Sequence, residues 1–368
     1  MNLIVTTNWD NAFIEGLDNL PVEWICGRFP KDLIGSEMDP DDSPPINKVR
    51  LKEHIAYIHR RKLKFNYLID SHCLDNREYD REWVDQMLKF IQELVDCGVD
   101  GVTVFIPYLV EIIRKNFPRL KLGYGTLSFI RNVNTAKYFN KSFKVDWINL
   151  HPETNRDFKL LKAIHKSVNC ELRLIANMGC LSRCPFMHDH CSYLSHKSAQ
   201  GSISTELYQG YFHLLCNQIF LKNPEEIIKA DFIRPEDLMI YEKLGFNNFI
   251  IQNNTNTTKD LLFLITAYVE RKYDGDLIAL LSVMGKKIGR ISMGNRDNKG
   301  YPMVENKQLN DFLLFFQKQK VECYKQSCHD CGYCKKIAKK AVRFHDKSAK
   351  NKLIKKLKES IAKVEMVY

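Results

Sequence analysis

The sequence predicts an α/β protein built on a TIM-like (β/α)8 barrel, followed by a C-terminal extension that is cysteine-rich, helical and basic. Short β-rich apolar runs alternate with longer helical patterns, as in the βα units of a parallel sheet. The chain has 368 residues, 45% of them hydrophobic, which is long enough for a barrel of about 250 residues and an appendage. We therefore predict a barrel over residues 1–260 and an extension over residues 261–368.

Eight runs have the composition of barrel strands. They are residues 3–6, 22–26, 65–69, 101–105, 121–126, 147–151, 171–176 and 248–252. Helical patterns lie between most of them; in residues 80–96, for example, Trp83, Met87, Ile91 and Val95 fall on one stripe, which is typical of an amphipathic helix. In such a barrel the active site lies at the carboxyl ends of the strands.

Residues directly after the predicted strands are therefore candidates for function. His72 follows the third strand and His151 follows the sixth. Histidine is the usual proton carrier near neutral pH, so we expect both side chains to act at one mouth of the barrel. Arg234 is expected near the same rim, where it would either bind a substrate carboxylate or form a structural ion pair.

A loop rich in cysteine and histidine follows the seventh predicted strand, between strands seven and eight. It reads NMGCLSRCPFMHDHC over residues 177–191 and contains His188 and His190, which could be ligands, proton carriers or merely solvated. Clustered cysteines in a reducing cytosol bind metal or carry out redox chemistry more often than they form disulfides. The candidate ligands here are Cys180, Cys184, Cys191 and Cys216.

A second cysteine group lies in the extension. Cys323, Cys328, Cys331 and Cys334 have the spacing C-x4-C-x2-C-x2-C, and Gly332 permits a tight turn. This spacing suits either tetrahedral zinc or an iron–sulfur cluster. We predict a second metal site here, and the sequence leaves both metals open.

Positive charge is concentrated at the C-terminal end. Residues 335–368 hold twelve Lys and Arg against three Asp and Glu, while the whole chain has a net charge of +11. Leu353, Leu357, Ile361 and Val364 recur at helical spacing, so we predict an amphipathic helix with a lysine-rich outer face. Such a face is either simply solvated or attracts RNA, an acidic carrier protein or an anionic substrate.

The apolar runs are too short for a membrane span, and the first residues have no basic segment of the kind that begins an export signal. We therefore expect a cytoplasmic protein. The expected partners are a small-molecule or carrier-bound substrate and an electron-donor protein, with RNA and a partner chain left open.

Four segments together resemble the peptidase U32 family, the collagenase-like group. They are GCLSRCP after a strand, FIRPEDLMIYEKLGF before the last strand, AYVERKYDG after it, and CHDCGYC near the end. The resemblance extends from the barrel strands to about Ala341. It implies a TIM-like barrel with a four-iron iron–sulfur cluster held by four cysteines near its mouth. Several members take part in oxygen-independent hydroxylation of ubiquinone precursors or RNA bases.

Transferred to this chain, the resemblance implies cluster ligands at Cys180, Cys184, Cys191 and Cys216, although one ligand could come from the C-terminal group instead. The chain also departs from the family. Many members end the eighth strand with a stretch of the form FKIEGR, whereas residues 249–256 here read FIIQNNTN. The substrate or oxygen donor used elsewhere is therefore in doubt for this protein.

Three functional hypotheses follow. The first is an iron–sulfur-dependent oxidoreductase or hydroxylase in which His72, His151, His188 or Arg234 positions the substrate and moves protons. The second is an RNA-binding or RNA-modifying protein with structural metal sites. The third is a peptidase, which comes last because no Ser-His-Asp, HExxH or paired Cys-His spacing is legible.

Overall fold

The computed structural model describes residues 1–126, 129–201, 210–252, 257–282, 300–318, 323, 325 and 327–365. Eight parallel strands form a closed barrel in chain order, and the last strand pairs with the first. The predicted fold class and all eight predicted strands are confirmed, with ends that differ by one or two residues. The strands are β1 (Asn2–Thr6), β2 (Val22–Gly27), β3 (Lys64–Ile69), β4 (Gly101–Val104), β5 (Lys121–Tyr124), β6 (Trp147–Asn149), β7 (Glu171–Ile175) and β8 (Asn248–Ile251).

Helices surround the barrel and continue into the extension. The described α-helices are α1 (Asn11–Glu15), α2 (Lys48–Arg60), α3 (Arg81–Asp96), α4 (Pro107–Asn116), α5 (Val133–Ser142), α6 (Phe158–His165), α7 (Met187–Ser198), α8 (Tyr211–Lys222), α9 (Glu225–Lys229), α10 (Leu238–Glu242), α11 (Thr258–Glu270), α12 (Leu314–Gln317), α13 (Cys328–Cys331), α14 (Tyr333–Ala341) and α15 (Lys347–Glu365). Short 3₁₀ turns occupy Pro40–Asp42, Arg77–Tyr79, Pro152–Arg156, Pro235–Asp237, Leu277–Leu280 and Asn306–Leu309. No helix in these ranges is both long and apolar enough to cross a membrane.

The helix predicted over residues 80–96 shows how local signals set an element. Asp80 caps α3, because its carboxylate accepts a hydrogen bond from the backbone N–H of Trp83 at 2.7 Å. Trp83, Met87 and Ile91 are buried as the stripe predicted, but Leu94 takes the fully buried position and Val95 is only half-buried.

Large and small side chains are matched inside the barrel. Trp147 of β6 lies in the barrel interior and donates from Nε1 to Oγ1 of Thr103 at 3.2 Å, and Asn66 donates to the same hydroxyl at 2.9 Å. A Cβ atom at Gly123 would come within 1.7 Å of Trp147 Nε1, so only glycine fits beside the indole. This packed and hydrogen-bonded layer forms the floor under the barrel mouth.

The extension packs on the barrel. One continuous hydrophobic core contains both barrel residues such as Ile227 and extension residues such as Phe312 and Ala341. The predicted domain boundary at residue 260 falls inside α11, which packs against α1. Strands β9 (Pro302–Val304) and β10 (Val342–Phe344) form a small antiparallel sheet, and α15 packs along α8. Leu357 and Ile361 are buried in this contact region, as the predicted amphipathic helix requires.

Candidate functional site

A cavity of about 230 Å³ opens at the carboxyl ends of the barrel strands, where sites of this fold lie. Its wall combines barrel-interior side chains with residues of the loops above them. The lining residues that bear on the chemistry are Arg28, Glu37, Asn66, Asp70, Thr103, Asn149, Arg173, Cys180, Cys191 and Gln252.

The first cysteine group converges beside this cavity. Cys180 and Cys184 lie in the loop after β7, Cys191 lies on α7 and Cys216 on α8. The thiols of Cys184 and Cys216 are hydrogen-bonded, and the thiols of Cys191 and Cys216 both lie within electrostatic range of Cys180 and Cys184. The fold therefore brings together four thiols from three separate segments.

The electrostatics of these thiols differ with their surroundings. Burial raises the pKa of the Cys180 thiol to about 12 and also raises the pKa of Cys191. The hydrogen bond from Cys216 lowers the pKa of Cys184 to about 7, and the same contact raises the pKa of Cys216. A metal or cluster would have to displace protons from the buried thiols, so binding would release protons.

The start of the cysteine loop is held by Asn177, which is fully buried. Its side chain donates to the backbone carbonyls of Gln252 at 2.7 Å and Leu280 at 3.2 Å, and it accepts from the backbone N–H of Gln252 at 2.9 Å. The hydroxyl of Ser282 donates to the Asn177 carbonyl at 2.9 Å. Asn177 thus ties the loop to the end of β8 and to residues 280–282.

The four thiols fit a cluster by chemistry, since soft thiolates are the standard ligands of iron–sulfur centres. Among the described residues, no three His, Cys, Asp or Glu side chains are already arranged around one position for a metal ion. The thiols are instead distributed beside a cavity.

Three of the predicted histidines, His72, His151 and His188, come together next to the cavity but outside its lining, whereas His190 lines the cavity. The ring of Phe129 stacks on His151 at 5.0 Å and on His188 at 4.5 Å, and it meets His72 edge-on at 5.8 Å. Burial lowers the pKa values of His72 and His151 to about 4, so both rings are neutral at physiological pH. The backbone N–H of Glu153 donates to Nδ1 of His151 at 3.3 Å. The neutral ring of His151 therefore carries its proton on Nε2, which has no partner among the described residues.

The expectation that Arg234 binds substrate is wrong. Its guanidinium is 2% exposed and makes a bidentate ion pair with Asp237, at 2.7 and 2.9 Å, and a hydrogen bond to the Asn306 carbonyl at 3.1 Å. It does not line the cavity. These contacts are those of the structural ion pair, and the hydrogen bond to Asn306 joins the barrel to the extension.

Two other arginines occupy the cavity wall instead. Arg28 follows β2 and forms a buried ion pair with Asp70, and Arg173 on β7 donates to Glu171 at 2.5 Å while its guanidinium lies 4.1 Å from the Trp147 ring centre. The strand-end rule could have found Arg28. Arg173 could have been found because it lies two residues before Ile175 on β7 and so shares its inward face, which places a charge inside the barrel.

Glu37 is a further cavity residue that the sequence did not single out. Burial raises the pKa of its carboxyl group to about 7, although the nearby charge of Arg28 opposes the shift. The group can therefore gain or lose a proton near neutral pH. Gln252 of the divergent FIIQNNTN segment also lines the cavity; residues 253–256 lie outside the described ranges.

The second cysteine group lies apart from the mouth, in the extension. All four of its thiols line a separate cavity of about 270 Å³. Arg183, in the loop between Cys180 and Cys184, donates to the backbone carbonyl of Cys323. The two cysteine groups are therefore connected through one side chain.

The peptidase family U32 model matches residues 45–205 of the chain. This match confirms the predicted relationship to the peptidase U32 family. A Methanocaldococcus jannaschii protein named as an uncharacterized protease is 26% identical over 293 residues, which is 80% of this chain and 81% of that protein. The solved structure of the U32 peptidase Mk0906 has a TM-score of 0.52 at 20% identity and covers 69% of this chain and 93% of its own. This structural likeness shows that the two chains share the barrel fold.

Proposed function

We propose that this U32 protein is an iron–sulfur-dependent enzyme that carries out an oxygen-independent redox or hydroxylation reaction on a substrate bound in the barrel-mouth cavity. The observation that supports this most directly is the convergence of Cys180, Cys184, Cys191 and Cys216 beside that cavity. These residues would hold a four-iron cluster. When bound, the cluster would supply or accept single electrons, or act as a Lewis acid if one iron lacks a protein ligand.

The size of the cavity limits what can enter it. Its volume of about 230 Å³ is below the range of roughly 300–1,000 Å³ usual for drug-sized ligands. The reacting group is therefore a small molecule or one small unit of a larger molecule. A biosynthetic intermediate meets this requirement as a whole molecule. A macromolecule meets it by inserting one of its units into the cavity.

The polar wall of the cavity would orient such a substrate. Asn66 and Thr103 are already hydrogen-bonded to each other, whereas the side-chain oxygen of Asn149 is buried and has no partner among the described residues. A substrate donor would satisfy that oxygen, because a buried acceptor without a partner costs free energy. Arg28 is held by Asp70 at the same wall and supports a polar or negatively charged group.

Protons would be exchanged by Glu37. Its carboxyl group faces the cavity, one of its oxygens has no hydrogen-bond partner among the described residues, and burial raises its pKa to about 7. The carboxylate accepts a proton from the bound substrate at Oε2 and the acid returns it. His72 and His151, which are neutral, lie beside the wall next to Phe129 and would pass protons onward rather than contact the substrate.

Peptide hydrolysis is a second candidate, because the M. jannaschii relative is named as a protease. Casein turnover that is equal in the wild type and in Cys180→Ser, in samples prepared without oxygen, would favour it over the redox proposal. RNA binding through the lysine-rich face of α15 is a third candidate, and a steep decrease of RNA affinity with salt would favour that.

The test of the leading proposal is anaerobic purification followed by iron, sulfide and zinc quantitation and a visible spectrum. Cys180→Ser is expected to lose about four iron and four sulfide per chain relative to the wild type, with the matching loss of broad absorbance. Cys97→Ser is the matched control, because Cys97 is a half-buried cysteine outside both groups. Equal iron content in the wild type and Cys180→Ser would refute the mouth cluster.

A further inference from the structure

We propose that Cys323, Cys328, Cys331 and Cys334 hold an iron–sulfur cluster of their own, in the 270 Å³ cavity of the extension. This second centre does not depend on the mouth site, since the two cavities share no lining residue. Its thiols lie close together: Cys323 is within electrostatic range of Cys328 and Cys331, and Cys334 is within range of Cys323 and Cys328.

The local fold presents three of these thiols in order. Cys328 and Cys331 form the ends of the one-turn helix α13, which Ser327 caps by accepting from the N–H of His329 at 3.2 Å. Gly332 then takes a left-handed conformation with φ of 61° and donates to the Cys328 carbonyl at 3.0 Å. Glycine is favoured there because other residues are strained at positive φ. The turn brings Cys334 back to the same cavity at the start of α14.

The spacing and the cavity both favour a cluster over a single zinc ion. Structural zinc sites are built from separate ligand pairs, whereas an unbroken C-x2-C-x2-C run is the ligand pattern of ferredoxin-type clusters. Zinc binds thiolates at about 2.3 Å, so four thiols would have to close on one point. The four cysteines instead line a cavity of about 270 Å³, which is larger than a single zinc ion fills.

Positive side chains offset the charge of these thiolates. Lys229 of α9 lines the cavity and is within electrostatic range of Cys328 and Cys334. Arg156 acts on Cys323 and Cys334 in the same way. Four thiolates around a cluster leave a net negative charge, and nearby cations stabilise it.

Aromatic rings close one wall of the cavity. Tyr333, between Cys331 and Cys334, stacks on Phe315 with ring centres 3.8 Å apart, and its hydroxyl donates to the Phe312 carbonyl at 2.9 Å. Phe316 completes this wall. The rings limit solvent access, which is one of the factors that set the reduction potential of a cluster.

The decisive experiment uses the full chain with Cys180→Ser and Cys184→Ser combined, so that any remaining metal belongs to the extension. After anaerobic purification and cluster reconstitution, we expect about four iron and four sulfide per chain and an electron paramagnetic resonance signal on reduction with dithionite. Zinc at about one per chain without iron, or no metal at all, would overturn the proposal. The mouth cluster has been removed in this variant, so the result does not depend on the proposed function.

Two further variants test whether a loss of iron reflects loss of ligands or loss of folding. Cys328→Ser combined with Cys331→Ser is expected to lose about four iron relative to the wild type and to keep those of the mouth. Cys73→Ser, a half-buried cysteine outside both groups, should keep the full iron content. Iron content unchanged in the Cys328/Cys331 variant would also overturn the proposal, and matching far-ultraviolet circular dichroism establishes that each variant is folded.

Discussion

Replacing Asn177 by alanine tests whether this one buried side chain holds the cysteine loop in place. Asn177→Ala removes three hydrogen bonds. They join the Asn177 side chain to the Gln252 carbonyl at 2.7 Å, the Leu280 carbonyl at 3.2 Å and the Gln252 N–H at 2.9 Å. Each buried group left without a partner costs about 1–3 kcal/mol. At about 1 kcal/mol each, the lowest figure in that range, the free energy of unfolding should fall by about 3 kcal/mol.

The assay is urea unfolding of the metal-free protein, followed by circular dichroism, with iron retention measured on the loaded protein. Asn177→Asp keeps the acceptor for the Gln252 N–H but turns an oxygen toward two carbonyls, so it should be at least as unstable as the alanine variant. Asn116→Ala is the control, because exposed Asn116 makes a similar bond to Ile112 at 2.8 Å at the surface. A change below about 0.5 kcal/mol for Asn177→Ala would refute the reasoning.

Three further predictions concern Arg234, His151 and Gly123. Arg234→Ala leaves Asp237 buried without its partner and should lower the free energy of unfolding by about 3–5 kcal/mol, measured by denaturant titration; a wild-type value would show that the ion pair is not structural. The pKa of His151 falls from 6.5 to about 4 on folding, so its contribution to stability is complete above pH 6.5 and is lost as pH falls toward 4. His151→Gln should therefore make the free energy of unfolding depend less steeply on pH between 4 and 6.5. An unchanged slope would show that His151 is not buried as a neutral ring. Gly123→Ala places a Cβ 1.7 Å from Trp147 Nε1 and should destabilise the barrel by at least about 1–3 kcal/mol; an unchanged thermal unfolding temperature would be the contrary result.

Structure is most readily predicted from sequence where residue types repeat in a regular local pattern. The stripe of Trp83, Met87 and Ile91 is a property of residues close together in the chain, and the structure confirms that all three are buried. The loop after β7 could likewise be placed at the barrel mouth, because parallel strands in a barrel all end at the same face.

The positions of Cys216 and Arg234 could not be derived in this way. Cys216 reaches Cys184 from α8, a separate helix, so their hydrogen bond depends on how that helix packs. Arg234 donates to the Asp237 carboxylate and to the Asn306 carbonyl. Which acceptors an arginine binds depends on which ones the tertiary fold buries beside it.

By itself, the sequence determined the eight strands, their order in a βα repeat, and the two cysteine groups, because hydrophobic periodicity and ligand spacing are local. Only the tertiary structure decided which side chains line the mouth. Arg28 and Glu37, both in the loop after β2, meet Arg173 of β7 there, and closure of the barrel by pairing β8 with β1 brings these two segments together. Burial in that closed space, rather than any motif, changes the pKa of Glu37 and leaves the arginines paired inside the protein.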